Sequence, residues 1–312
     1  MSRVPPKVKQ VNKTMNPIEH QQYPYSLNVN GHIVELDCPK VMGILNVTPD
    51  SFYAESRNQS AGEVEARCKQ IVDEGGEMID VGAYSSRPGA DDVPAEEEMS
   101  RLRMALPIVE RAAPGAIVSV DTFRADVAKM CVEEYGVGII NDISGGDIDS
   151  RMFKTVARLG VPYVLMHMQG TPQTMQDCPE YGDVVSEVMQ YLSLRVARLR
   201  DLGAKDIILD PGFGFGKTVD QNYALLARLD DFQEFGLPVL AGVSRKSMIY
   251  KPLNCTAQEA LNGTTVLNTI ALAKGCSILR VHDVKQASEA VKLFCLMKKN
   301  IEGNKNSVGR NK

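Results

Sequence analysis

Polar side chains recur where short apolar runs stop. Asn46 lies at the end of the run 41–47, and Ser86 and Arg87 follow the run 78–82. Asp121 closes 116–121, Asn141 and Asp142 lie near the end of 138–143, His167 closes 163–167, and Asp210 closes 207–210. Ser244-Arg245-Lys246-Ser247 follows 239–243, and Arg280 and His282 flank the end of 277–281. Carboxylates only accept hydrogen bonds, whereas an amide both donates and accepts. Asp121, Asn141 and Asp210 together therefore suit a flat heterocycle with several N–H donors and one carbonyl. Arg87, Lys246, Arg280 and His282 add positive charge and donors suited to a phosphate or diphosphate. Any one Asp or Asn here would equally serve as a helix cap. A ring of polar groups at eight successive ends has no such structural need.

Two further motifs bear on the chemistry. Gly212-Phe213-Gly214-Phe215-Gly216-Lys217 has the look of a phosphate loop, but only three residues separate Gly212 from the Gly216-Lys217 pair. A Walker loop needs four, so these glycines are expected to turn the chain tightly beside a ligand. His167, between Met166 and Met168, reads as a hydrogen-bonded pocket wall rather than a catalyst. No His–Cys cluster suggests a tight metal site. Asn46 still offers an oxygen to a hard cation that mainly bridges phosphates, as magnesium does. The loops 48–52 and 85–89 have the composition of segments that close over a site.

Elements must hold these residues together. The eight apolar runs recur roughly every 34 residues, the length of one βα unit. They are apolar on successive positions, as parallel strands covered on both faces require. Helical stretches lie between them. Val64, Cys68, Ile71 and Val72 share one face, with Ser60 to Glu63 expected as a capping box. Val184, Val188, Leu192, Val196 and Leu199 form a longer stripe, and Leu261, Thr265, Leu267 and Leu272 another. A (β/α)8 barrel and a doubly wound sheet both use such units, and the count of eight favours the barrel. In either, the site lies beyond the carboxyl ends of the strands. Asn30-Gly31 between two short apolar runs marks a β-hairpin over 25–37, placed to cap the barrel's bottom.

Of the 312 residues, 44% are apolar and 24% charged, which excludes disorder as the main state. The formal net charge of −4 argues against a broad nucleic-acid footprint. Seven cysteines, an odd number without a Cys-x-x-Cys pair, argue against a disulfide framework and fit a reducing cytoplasm. No secretory signal or apolar stretch of membrane-spanning length is expected. Residues 1–22 and 301–312 read as disordered ends flanking a single barrel domain over 23–300.

The strand-end motifs resemble those of the dihydropteroate synthases, in family order: 43–52, 85–90, 119–122, 141–143, 165–170, 210–217, 244–247 and 280–284. The match runs from about residue 41 to 298. The resemblance implies a homodimeric barrel enzyme of folate synthesis, a sulfonamide target, that joins 4-aminobenzoate to a dihydropterin diphosphate by an SN1-like displacement. It assigns Asp121, Asn141, Asp210 and Lys246 to the pterin, with Ile143, Met166 and Gly242 lining the slot. It assigns Asn46, Ser86, Arg280 and His282 to the diphosphate, with Mg²⁺ near Asn46. Phe52, Arg87, Pro88, Phe215 and Ser247 fall around the aminobenzoate. Lys246, Asp121, Asp210, Arg280 and His282 are the implied catalytic set.

The chain departs from the family pattern in two loops. After Phe52 it reads Tyr53-Ala54-Glu55-Ser56 where the family commonly has Ser-Asp-Gly-Gly. Tyr84 and Ser86 stand in place of Glu and Thr. These changes bear on the loops, not on the pterin pocket. A pterin-dependent methyltransferase and a silent pterin-binding paralogue are the competing readings. The Arg245-Lys246 and Arg280-His282 pairs speak against the first, and only the altered first loop supports the second.

Overall fold

A computed structural model describes residues 25–47, 57–84, 93–171, 174–175 and 179–308. The N-terminal arm and both mouth loops, with Phe52, Tyr53, Glu55, Ser86, Arg87 and Pro88, lie outside the described residues.

Two antiparallel strands come first, β1 (Tyr25–Val29) and β2 (His32–Leu36), paired from Tyr25–Leu36 to Val29–His32. Asn30 and Gly31 both take positive φ, 52° and 82°, as a two-residue turn of matching twist requires.

Eight parallel strands then alternate with helices. They are β3 (Lys40–Asn46), β4 (Met78–Gly82), β5 (Ile117–Asp121), β6 (Ile139–Asp142), β7 (Tyr163–Met166), β8 (Ile207–Asp210), β9 (Leu240–Ala241) and β10 (Ile278–Val281). Strands β3 to β8 neighbour one another in chain order, and β10 pairs with both β3 and β9. The ring closes between β8 and β9, where the Leu209 N–H donates to the Pro238 carbonyl at 2.9 Å and Leu209 bridges Val239. The barrel is thus the (β/α)8 form rather than an open sheet. Each run expected from the sequence contains one strand. The seventh is the shortest, with two residues in the ladder.

The helices are α1 (Arg57–Asp73), α2 (Ala95–Ala112), α3 (Ala125–Tyr135), α4 (Met152–Leu159), α5 (Val184–Asp201), α6 (Val219–Ala227), α7 (Ser247–Tyr250), α8 (Leu261–Ala273) and α9 (Val284–Val308). All five residues of the expected α5 stripe are buried, and Asp183 caps the helix by accepting from Val185 and Ser186 N–H groups. Helix α1 corrects the expectation in two respects. It begins at Arg57, so Ser60 to Glu63 lies inside it rather than at its cap. Val72 is 41% exposed, since it stands roughly 80° round the helix from Val64. Of the expected α8 stripe, Leu267 and Leu272 are buried, whereas Leu261 and Thr265 are only partly covered. Helix α9 runs through 303–307, where the composition leads one to expect a loose end.

The hairpin sits at the amino ends of the barrel strands. Leu27, Val29 and Leu36 pack on Met42, Met78, Ile139, Val164, Ile208, Leu240 and Ile278. Each fully buried side chain of this kind contributes ~1.5–3 kcal/mol. The floor is therefore closed, and only the carboxyl ends are left for chemistry. The larger core lies between strands and helices.

Candidate active site at the barrel mouth

Strand register brings the expected polar residues to one level. Asp121 pairs with Gly82 on one side and Asn141 on the other, and Met166 pairs with Asp210. Arg280 reaches across the barrel, donating from Nε to Asp80 Oδ2 at 2.6 Å and from Nη2 to Asp121 Oδ2 at 2.8 Å. Asn141 Nδ2 donates to the same Asp80 oxygen at 2.9 Å. Burial works against the charge of Arg280, but Asp80 and Asp121 outweigh it and raise its pKa. Burial pushes Asp121 up to about 7, opposed by Arg280 and assisted by Asp80. Asp210, 6% exposed, is also raised by burial, with the Lys246 charge working the other way. Its Oδ1 accepts from the Gly212 N–H at 2.8 Å.

Lys246 crosses this level from the β9–α7 loop. Its ammonium donates to the Phe213 carbonyl and lies 4.5 Å from the centre of the Phe215 ring. Burial lowers its pKa to about 8 against the pull of Asp210. A side chain at Gly242 would take up space between Lys246 and Arg280. At Gly214 a Cβ would fall 2.8 Å from Lys246 Cδ. Ser247 begins helix α7 and is partly exposed. Beside these groups Ile143 and Met166 join Phe123, Met168 and Met175 in an apolar cluster, with Tyr84 and Phe215 packed on it. These contacts set an apolar cluster, three acceptor side chains and the Lys246 and Arg280 cations side by side at the mouth.

The glycine-rich loop winds around Lys217. This buried ammonium bonds to the carbonyls of Gly212 and Phe215, both at 2.9 Å, and to His167 Nδ1 at 3.0 Å. Burial lowers His167 to about 2 and Lys217 to about 7. The imidazole is therefore neutral and accepts from Lys217. His167 is a locked wall, as expected, and the loop is a built support for Phe213 and Phe215 rather than a nucleotide cradle.

A second compartment opens beyond β3 and β10. This cavity of about 450 Å³ is lined by Ile44, Asn46, Arg67, Arg245 and His282, among others. His282 Nδ1 and Ser244 Oγ share a hydrogen bond of 3.1 Å, and the His282 backbone N–H donates to the same oxygen at 3.2 Å. Burial, with Arg280 next, lowers the His282 pKa to about 4. Arg245 forks onto Asp283, with bonds of 2.9 and 2.7 Å. Arg67 donates to the His282 carbonyl at 2.6 Å.

Sequence reading missed Asp80, Arg67 and Lys217 as parts of this machinery. Asp80 carried a signal, because an acid inside a run as buried as 78–82 must have a partner. Arg67 had none, being one polar residue on an amphipathic helix.

The chain is similar to known proteins in sequence and in fold. Residues 42–282 match the family described as pterin binding enzyme. The chain is 43% identical over 271 residues to the dihydropteroate synthase of Escherichia coli K12, covering 86% of this chain and 94% of that one. It is 40% identical over 259 residues to that of Bacillus subtilis, covering 82% and 88%. The solved dihydropteroate synthase of Xanthomonas albilineans with 4-aminobenzoic acid superposes with a TM-score of 0.78 at 37% identity, covering 88% of this chain and 99% of that one. The Yersinia pestis dihydropteroate synthase in complex with a sulfonamide drug gives 0.78 at 36% identity, covering 88% and 100%. The barrel, its mouth and these likenesses agree: the chain belongs to the pterin-binding enzyme family, among the dihydropteroate synthases.

Proposed function

We propose that this chain condenses 4-aminobenzoate with (7,8-dihydropterin-6-yl)methyl diphosphate to give 7,8-dihydropteroate and diphosphate. The observation that carries the reading is what the barrel mouth brings together: acceptors gathered around Arg280, and a cavity lined by Asn46, Arg67, Arg245 and His282 together with Glu63 and Asp283. A substrate with a flat donor-rich head and a polyanionic tail fits both at once. Asp121, Asn141, Asp210 and Lys246 hold the pterin between Ile143, Met166 and Gly242. Arg280, His282, Asn46 and Ser86 hold the diphosphate. Phe215, Ser247, Phe52, Arg87 and Pro88 surround the aminobenzoate.

The chemistry follows from those positions. The methylene C–O bond breaks and its electron pair leaves with the diphosphate. Donors aimed at that group stabilise the charge as it builds. The electron-rich ring, held against carboxylates, supports positive charge on the methylene, so the displacement is SN1-like. The arylamine lone pair then forms the C–N bond, and the arylammonium releases a proton to solvent. The amine is neutral at pH 7, so it needs positioning rather than deprotonation.

The donor set fits a magnesium ion carried chiefly by the diphosphate. Asn46 offers one hard oxygen at the β3 tip, and no group of three His, Cys, Asp or Glu side chains converges among the described residues. When bound, the ion would neutralise charge on the leaving group. No helix among the described residues is long and apolar enough to cross a membrane. We place the enzyme in the cytoplasm as a homodimer. Purified protein given both substrates and Mg²⁺ is expected to release pyrophosphate. Background release with intact pterin diphosphate binding would instead establish a silent paralogue.

A further inference from the structure

We infer that Asp80 is a positioning residue that fixes the Asn141 carboxamide and the Arg280 guanidinium together, setting which edge of the heterocycle the slot accepts. The inference rests on the functional reading above. Asp80 is fully buried in the middle of β4, two residues before the strand ends at Gly82. Its Oδ2 accepts from both Asn141 Nδ2 and Arg280 Nε. A carboxylate has no proton to give, so the Asn141 amide has one permitted orientation. Turned over, its carbonyl oxygen would face Oδ2 at the distance now bridged by a proton, two acceptors in repulsion. Asp80 thereby commits Asn141 to offer Oδ1 as an acceptor, matching the Asp121 and Asp210 carboxylates beside it. The slot then has three acceptor groups and selects a ligand edge rich in N–H donors.

The same oxygen also sets the cation. Arg280 spends Nε on Asp80 and Nη2 on Asp121, which holds its plane between β4, β5 and β10. Asp80 is thus shared by Asn141, proposed for the heterocycle, and Arg280, proposed for the diphosphate. Its other oxygen, Oδ1, is buried without a hydrogen-bond partner among the described residues. An acid kept only for packing has no reason to sit half-satisfied in a strand buried on both faces. The charge also reaches Asp121, whose ionisation is opposed by burial, Asp80, Glu98 and Asp142 and favoured by Arg280.

The test is Asp80→Asn, read by calorimetry with 6-hydroxymethylpterin and, separately, with pyrophosphate and Mg²⁺. Both affinities are expected to fall about tenfold or more. The KM for aminobenzoate should stay within about twofold, because Asp80 bonds Asn141 and Arg280 and neither of the described residues proposed for that subsite, Phe215 and Ser247. The acid limb of the kcat/KM profile should move to lower pH as Asp121 loses a neighbouring negative charge. In a cycle with Asn141→Ala, the two losses of pterin affinity should be less than additive. A packing role alone would lower the melting temperature and leave both affinities and the acid limb in place; that outcome, or additive losses, overturns the inference. Should Asp80→Asn not fold, Asp80→Ser carries the same expectations, being smaller and leaving room for water. If the wild type itself binds neither probe, the reading of the site falls and this inference with it. If the wild type binds both and the variant matches it, only the role of Asp80 falls.

Discussion

Asp121 and Lys246 are held where their charged forms are each disfavoured by burial, and their pKa values are drawn together to about 7 and about 8. The proposed reaction needs Asp121 ionised, to accept from the substrate, and Lys246 protonated, to donate. Asp121 takes up a proton below about pH 7, and Lys246 loses one above about pH 8. A profile of kcat/KM, which reports the free enzyme, is therefore expected to peak between those values and fall on both sides. Lys246→Ala should remove the alkaline limb and lower kcat by roughly 10²–10³, the scale for losing one preorganised donor. A flat profile, or an alkaline limb that survives the substitution, would contradict these roles. The residues in this argument were legible because they stand at strand ends, where a polar group breaks an apolar run. Asp80 and Lys217 were hidden for opposite reasons: one lies within a run, and the other closes a glycine motif whose spacing suggested a different loop.

At the level of elements, alternating runs and stripes were enough to locate all eight barrel strands and the hairpin. The spacing of the units carried that information, since each βα repeat needs a set length of chain to return beside its neighbour. Boundaries were less legible. Strand β9 is shorter than its run and helix α1 overruns its expected cap, because neighbouring elements decide how far a ladder or helix extends. The hairpin offers the cleanest test of an element's purpose. Leu27, 1% exposed, packs into the floor far from the mouth. Leu27→Ala is expected to destabilise the fold by about 2–5 kcal/mol in denaturant titrations. KM for both substrates should be unchanged in the folded protein, and a shift in either would show that floor and mouth are coupled.

For the whole molecule, the proposed dimer needs an apolar face, and α8 offers one candidate. Val266 and Ile270 lie four residues apart on this helix, 49% and 40% exposed. Residues at that spacing share one side of a helix, and apolar surface of this kind marks association sites. Val266→Glu would bury two like charges across a two-fold interface, so sedimentation should move from the mass of two chains toward one. An unchanged mass would remove α8 from the interface. The closed floor has one more consequence, for how such a catalyst can change. The apolar cluster under the hairpin and the chemistry sit at opposite heights along the same strands, joined by the staves between. A mouth altered to admit a different amine, or to exclude a competing one, can have its lost stability restored by better filling beneath the hairpin. Neither change needs to know of the other, which makes the two ends separately adjustable parts of one barrel.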